Sequence, residues 1–246
     1  YKALVMVGAR EPIVFFGYEG GKSKLLTEEQ KSVVISSDEM SLPAALQQLA
    51  DALDAPQGGE FENGQPPELP QGALSASKAC AVLAALQPEG AIIVDESVSS
   101  GGAYYPLSTT CPEHTWMTLT GGAIGQGMPC AVGTAIASPD RPVINLQADG
   151  SAMYTVQAFE SLTFSTLIFS NRSYNILNIE LLRTGTKSPG PQTQSLMDLG
   201  DPALDWVQIS QGMGVPAVSV DTAEGLAEEL KHALSEPGPH LIEMIL

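Results

Sequence analysis

Two oxygen-bearing side chains that come soon after apolar runs are the first residues in this chain suited to chemistry. Asp149 follows the run 143–146 and precedes Gly150, and Asn171 follows the run 166–169. If both runs are neighbouring parallel strands, their oxygen donors lie at the sheet edge where open α/β folds bind ligands. Mg²⁺ prefers oxygen ligands and bridges phosphates, so the pair predicts a Mg²⁺ site. Asp149 could equally cap the helix that follows it.

Two glycine-rich segments are candidates for holding phosphate. The segment 95–102, DESVSSGG, follows the apolar run 91–94 and offers hydroxyls and backbone N–H groups to an anion. An ordinary loop explains it equally well. The segment 120–129, TGGAIGQGMP, permits close backbone approach at a helix start. It fits neither GxGxxG nor GxxxxGK[ST], so a Rossmann fingerprint and a P-loop are not supported.

Alternating helical and strand patterns position these segments. Strands are predicted at 91–94, 143–146, 166–169, 217–220 and 241–245, and helices at 76–86, 123–137, 203–213 and 223–234. Such alternation predicts an α/β fold with a doubly wound, mostly parallel sheet and helices on both faces. The segment 184–194, TGTKSPGPQTQ, is predicted to be a loop.

A linker is predicted at 57–72, where QGGEFENGQPPELPQG is rich in Gly, Pro and acidic residues and lacks apolar periodicity. It separates residues 1–56, which resemble a small α/β fragment of another domain, from the main domain at 73–246. The chain opens on Tyr1 and runs at once into an apolar stretch. It is therefore expected to be a subunit or fragment of a longer design.

Composition narrows the function classes. The chain has 246 residues and a formal net charge of −17, which argues against binding nucleic acid or an anionic membrane and favours a small-molecule ligand. The three cysteines have neither zinc-ligand spacing nor a disulfide pattern. Because no apolar run has the length of a membrane span and no signal peptide is evident, a cytoplasmic protein is expected.

The motifs together resemble one enzyme family. ESVSSG, TGGAIGQGMP and QADGSAMY, followed by IFSNRSYNIL, resemble the C-terminal, diphosphate-binding domain of the acetolactate synthase and benzoylformate decarboxylase family. The resemblance runs from about Ala73 to the C-terminus. It implies thiamine diphosphate and Mg²⁺ as cofactors and decarboxylation or carboligation of a 2-oxo acid, with the electron sink supplied by the cofactor.

The resemblance also implies roles for individual residues. The metal ligands would be the side chains of Asp149 and Asn171 and the backbone carbonyl of Ser173. The residues around the cofactor would be Val98, Ser99, Gly150 and Ser151 at the diphosphate, Gly122 with its carbonyl at the aminopyrimidine, and Ile124 as the apolar wedge that bends the cofactor.

No catalytic residue is expected in this chain. In the family, the glutamate that activates the aminopyrimidine lies on a pyrimidine-binding domain, so a partner domain or subunit and a homo-oligomer are expected. The segment between Asp149 and Asn171 is also shorter than in relatives, by roughly one and a half helical turns. Two alternatives remain open: a non-catalytic cofactor-binding or assembly remnant, and an α/β nucleotide-binding domain.

Overall fold

The computed structural model describes residues 1–14, 16–35, 41–56, 58, 64–161 and 164–246, and it divides into two units, Tyr1–Glu62 and Asn63–Leu246. The division falls within the range predicted as the linker. In the N-terminal unit, strands β1 (Ala3–Val7) and β2 (Lys31–Ile35) pair in parallel and are followed by helix α1 (Leu42–Ala52).

The C-terminal unit is built on a six-stranded parallel sheet. Its strands are β3 (Ile92–Glu96), β4 (Thr115–Thr118), β5 (Val143–Ala148), β6 (Ser165–Ser170), β7 (Ala217–Val220) and β8 (His240–Ile245). Its helices are α2 (Ala76–Leu86), α3 (Tyr104–Ser108), α4 (Gly127–Ala137), α5 (Asp149–Ala152), α6 (Asn175–Arg183), α7 (Pro191–Met197), α8 (Trp206–Gly212) and α9 (Ala223–Ser235). A 3₁₀ segment, Met153–Ser161, follows α5.

Two separate apolar cores show that helices cover both faces of this sheet. One core joins Leu83 of α2 and Leu226 of α9 to the sheet residues Ile93 and Leu167. The other joins helix residues Met128, Ala131 and Trp206 to the opposite face. Because successive strand residues point to opposite faces, strands buried on both sides are continuously apolar, as in the runs that predicted them. The predicted fold class is confirmed.

The strand order β4-β3-β5-β6-β8-β7 creates a switch point between β3 and β5. From β3 the chain passes first to β4 on one side and then to β5 on the other. Loops that leave the carboxyl ends of β3 and β5 therefore diverge, and the crevice between them is the usual ligand site of open α/β sheets. Glu96 pairs with Gln147 at this edge, and Ala148 pairs with Phe169 of β6.

The glycine-rich segment corrects one predicted boundary. The helix expected to start at Ala123 starts at Gly127. Gly121, Gly122 and Gly125 have φ angles of 66°, 68° and 95°, in the left-handed region that a right-handed helix excludes. The segment before α4 is thus an irregular turn that exposes backbone groups at the switch point.

The loop predicted at 184–194 is only partly a loop. Helix α7 begins at Pro191, which has a fixed φ suited to the first helical turn. Strand β4 and helix α6 were not predicted at all. In β4, TWMT is short and half-polar, as suits the edge strand that it forms.

Charged side chains attach the end of the predicted linker to the main domain. The Lys78 ammonium donates to the carbonyls of Gln71 and Ala73, both at 2.8 Å. The Glu224 carboxylate accepts from the N–H of Gly72 at 2.9 and 3.0 Å. Residues just before Ala73 are therefore ordered parts of the C-terminal unit.

All three cysteines are free. Cys80 is fully buried, Cys111 is half-buried and Cys130 is exposed on α4. Burial raises the pKa of Cys80 to about 12 and raises that of Cys111 in the same direction. Across the described ranges, no helix combines the length and apolar character that crossing a membrane requires.

Candidate functional site

Asp149 links the ends of two neighbouring strands. It is the first residue of α5, directly after β5, and its side chain is only 3% exposed. One carboxylate oxygen, Oδ2, accepts from the N–H of Arg172 just beyond β6 at 2.6 Å, and Oδ1 accepts from the N–H of Gly150 at 2.8 Å. The carboxylate thus bridges the loops after β5 and β6 instead of capping the second or third residue of α5.

The Asp149 carboxylate has no cationic side chain as partner among the described residues, whose ion pairs are Lys24–Glu11 and Arg183–Glu180. Burial raises its pKa, the N–H groups of Arg172 and Gly150 oppose that rise, and nearby Glu243 adds to it. A buried carboxylate of this kind is stabilised in its charged form by a bound cation. The site therefore fits a metal ion.

Asn171 and Ser173, the other two predicted metal ligands, lie in the loop directly after β6. The Asn171 Oδ1 accepts from the N–H of Ser173 at 2.9 Å, while its Nδ2 donates to Oγ of Ser100 at 3.4 Å. The intervening Arg172 has a φ of 54°, which turns the chain sharply after β6. A carboxylate, an amide oxygen and a backbone carbonyl are the hard oxygen donors that Mg²⁺ takes. Among the residues described, no cluster of three or more His, Cys, Asp or Glu offers a competing metal site.

The loop after β3 carries a strained residue. Val98 has a φ of 53°, and a β-branched residue in the left-handed region is a true conformational outlier. Such strain costs about 1–3 kcal/mol and is found mainly at binding and catalytic sites. The adjacent Ser99 is half-buried, and Ser100 contacts Asn171. The loop proposed for the diphosphate thus touches the loop proposed for the metal.

Ser151 and Gly150 complete the strand edge in different ways. The Ser151 hydroxyl lies inside the protein, 3.1 Å from the carbonyl oxygen of Glu96 and 3.0 Å from that of Ala148. In this arrangement its hydroxyl holds β3 against α5, and contact with a diphosphate would need it to turn outward. Gly150 faces the Tyr174 ring, since an added Cβ would lie 2.8 Å from Cδ1 of that ring.

The glycine-rich segment lies at the same edge and is held by a residue to which sequence reasoning gave no role. Gly122 is exposed and Ile124 is half-buried. The carboxylate of Glu96, the last residue of β3, accepts from the N–H groups of Gly125 and Gly127. The feature of the sequence that could have indicated Glu96 is its position soon after an apolar run, which is also what indicated Asp149.

The raised pKa of Asp149 makes a prediction about pH. At pH values between the ordinary carboxyl pKa of 3.8 and the raised pKa, Asp149 keeps its proton in the folded state and has released it in the unfolded state. Rising pH therefore lowers the free energy of unfolding over this range. Asp149→Asn removes this titration. Without Mg²⁺, the stability of Asp149→Asn relative to the parent chain is expected to rise as the pH increases above about 4. Urea unfolding with a chelator measures this, and a difference that stays flat or falls contradicts it.

Parallel strands with diverging loops, oxygen donors and glycine turns at the switch point are typical of an α/β domain that binds a phosphate-bearing cofactor. The family model "Thiamine pyrophosphate enzyme, C-terminal TPP binding domain" matches residues 99–244. The chain belongs to this family of thiamine pyrophosphate enzymes, as its motifs predicted.

Individual relatives agree with this assignment. "Putative acetolactate synthase large subunit IlvX" of Mycobacterium tuberculosis is 45% identical over 251 residues, which cover 100% of this chain and 48% of that protein. Benzoylformate decarboxylase of Pseudomonas aeruginosa is 32% identical over 189 residues, covering 73% of this chain and 34% of the relative. The thiamine diphosphate-dependent 4-hydroxybenzoylformate decarboxylase of Rhodococcus jostii RHA1 superposes with a TM-score of 0.70 at 27% identity, over 98% of this chain and 48% of that chain. The match to the Mycobacterium tuberculosis protein includes all of this chain, yet this chain spans only about half the length of that protein.

Proposed function

We propose that this chain supplies the diphosphate- and Mg²⁺-binding half of a thiamine-diphosphate-dependent active site that decarboxylates or ligates 2-oxo acids. The observation that carries the proposal is the buried Asp149 carboxylate, which lacks a cationic partner among the described residues and bonds to the loop containing Asn171. Its relatives named as acetolactate synthase and benzoylformate decarboxylases support the 2-oxo acid chemistry.

Each proposed residue has a physical task. Asp149, Asn171 and the Ser173 carbonyl hold Mg²⁺, which neutralises the diphosphate. The backbone at Val98 and Gly150 and the Ser99 hydroxyl would hold the diphosphate oxygens, and the Ser151 hydroxyl would join them after turning outward. The Gly122 carbonyl would accept from the aminopyrimidine of the cofactor, and Ile124 would contact the cofactor as an apolar side chain. The bound cofactor supplies the electron sink for the bond that breaks next to the substrate carbonyl.

The activating glutamate is proposed to come from a pyrimidine-binding domain or subunit, and the working assembly is proposed to be a homo-oligomer that contains such domains. The half-length match to the relatives supports this view. The proposed location of the enzyme is the cytoplasm. Substrate selection would then rest largely with the partner domain.

Calorimetric titration of the purified chain with thiamine diphosphate, with and without Mg²⁺, tests the proposal. Binding that requires Mg²⁺ is the expected result, and a folded chain that binds no cofactor under either condition contradicts it. Competition with ATP separates this function from a nucleotide-binding domain, because ATP is expected not to displace the cofactor at equal concentration.

A turnover assay separates an enzyme from a non-catalytic remnant. The chain is mixed with a pyrimidine-binding domain from a relative, and consumption of pyruvate and benzoylformate is followed. Turnover that depends on both proteins is expected. Cofactor binding without turnover of either substrate favours the non-catalytic binding module.

A further inference from the structure

Glu96 is the most deeply buried carboxylate at the switch point. It is 1% exposed, and its two oxygens bind two N–H groups of the glycine-rich segment: Oε1 accepts from the N–H of Gly125, and Oε2 accepts from that of Gly127. The Gln147 amide, from the paired position on β5, lies 3.3 Å from Oε2. The negative charge is thus held by N–H groups, since the ion pairs of the described residues do not include Glu96.

This carboxylate does for α4 what a capping residue normally does. Helix α4 has no side-chain cap of its own and no acidic residue in its first turn. The unpaired N–H groups and partial positive charge of a helix start favour an anion there. The space for the carboxylate exists because residue 127 is glycine: an added Cβ would lie against Oε2 and 2.7 Å from Cβ of Glu96.

Glu96 also contacts the other end of the proposed cofactor site. Its carbonyl oxygen lies 3.1 Å from Oγ of Ser151, which follows Asp149 and Gly150 in α5. Gln147 connects the two contacts, since its Nε2 approaches Glu96 and its Oε1 lies 3.2 Å from the same Ser151 hydroxyl. One residue therefore fixes both the glycine-rich segment and the helix start beside the metal site.

We infer that Glu96 is a positioning residue that sets the glycine-rich segment, and with it the Gly122 carbonyl and Ile124, at the distance from the diphosphate site that thiamine diphosphate requires. This inference rests on the proposed function. It states how the chain positions the residues that recognise the part of the cofactor other than its diphosphate. Glu96 acts through the backbone of Gly125 and Gly127 and does not itself touch the cofactor.

The test compares two ligands on Glu96→Gln. The glutamine has the same size, but its NH₂ group must face one of the two glycine N–H groups, so one bond is lost and the segment is released. With Mg²⁺ present, affinity for thiamine diphosphate is expected to fall about tenfold or more, as for loss of a buried charged hydrogen bond. Affinity for inorganic diphosphate, which reaches only the metal end, is expected to change less than about twofold. Calorimetry measures both.

Three further measurements make the inference falsifiable. Glu96→Asp keeps the charge at the start of α4 and is expected to weaken thiamine diphosphate alone even if the glutamine variant does not fold. Glu224→Gln, which alters an exposed carboxylate bonded to Gly72, is the control and should change neither affinity. Amide hydrogen exchange at Gly125 and Gly127 should be faster in both Glu96 variants.

The outcomes separate the two proposals. Equal weakening of both ligands, or unchanged thiamine diphosphate affinity in both variants, overturns the positioning role while leaving the proposed function intact. A parent chain that binds neither ligand overturns the proposed function instead. In that case the exchange data still test whether Glu96 holds the glycine-rich segment. Faster exchange at Gly125 and Gly127 in the Glu96 variants would support that role, and unchanged exchange would overturn it.

Discussion

Asp149→Ala is expected to remove Mg²⁺-dependent binding of thiamine diphosphate while the sheet stays folded. The variant deletes the carboxylate that joins the loops after β5 and β6 and leaves the N–H groups of Arg172 and Gly150 without that acceptor. In the proposed complex the carboxylate is the charged partner of Mg²⁺, and removing one partner of a buried ion pair costs about 3–5 kcal/mol, which corresponds to affinity weaker by at least about 100-fold. Titration of the variant with thiamine diphosphate at saturating Mg²⁺ measures the loss.

Two companion variants separate loss of the metal from loss of the fold. Asp149→Asn keeps one oxygen acceptor and so preserves more of the local structure, yet it lacks the charge and is expected to lose most of the Mg²⁺ dependence. Asp205→Ala removes the side-chain cap of α8, costs about 1 kcal/mol of stability, and should leave cofactor affinity unchanged. Parent-like affinity in Asp149→Ala would rule out the proposed metal site.

Gly101→Ala is expected to destabilise the domain strongly, while Gly102→Ala at the next position is expected to be nearly neutral. A Cβ at Gly101 would overlap Oγ of Ser97 and lie 2.8 Å from Cβ of the same residue, whereas a Cβ at Gly102 meets nothing within 4 Å. Forcing extra atoms into a packed site costs about 1–3 kcal/mol or more. Urea unfolding of the two variants under identical conditions gives the comparison.

A double-mutant cycle tests the stated cause of the Gly101 effect. Ser97→Gly removes both clashing atoms, so Gly101→Ala should cost much less in the Ser97→Gly background than in the parent chain. The single Ser97→Gly variant gives the cost of that change alone, which includes loss of the hydrogen bond to Asp95 and the greater backbone freedom of glycine. Equal stability losses at Gly101 and Gly102, or strictly additive effects of Gly101→Ala and Ser97→Gly, would show that the packing explanation is wrong.

Apolar runs predicted the sheet because buried parallel strands need apolar side chains on both faces. The strand predicted at 217–220 has the same bounds as β7, while β5 extends two residues beyond the predicted 143–146. Those two residues are Gln147, which is buried with polar partners, and Ala148. Hydrophobicity could not predict this extension, because polar side chains in a strand are tolerated only where tertiary partners exist.

The predicted site residues occupy one edge of the sheet, but their orientations depended on contacts distant in sequence. Asp149 reaches the N–H of Arg172, and Asn171 reaches Ser100 across 71 positions. The Ser151 hydroxyl can contact the Glu96 carbonyl only after β3 and β5 pair. The contacts of the Glu96 carboxylate with Gly125 and Gly127 likewise require the folded chain. Sequence motifs therefore selected the candidate residues, and strand pairing determined which of their atoms contact one another.

The unequal burial of the three cysteines gives this chain one natural attachment point for a fluorescent dye. A maleimide reacts with an accessible thiolate, and Cys80 is shielded by full burial and a pKa of about 12. The Cys111 thiol is partly covered and close to the Ala84 carbonyl, at 3.3 Å. Cys130 is exposed in the first turn of α4, three positions after Gly127. A dye attached there would sit beside the glycine-rich segment and report on its movements without any engineered cysteine.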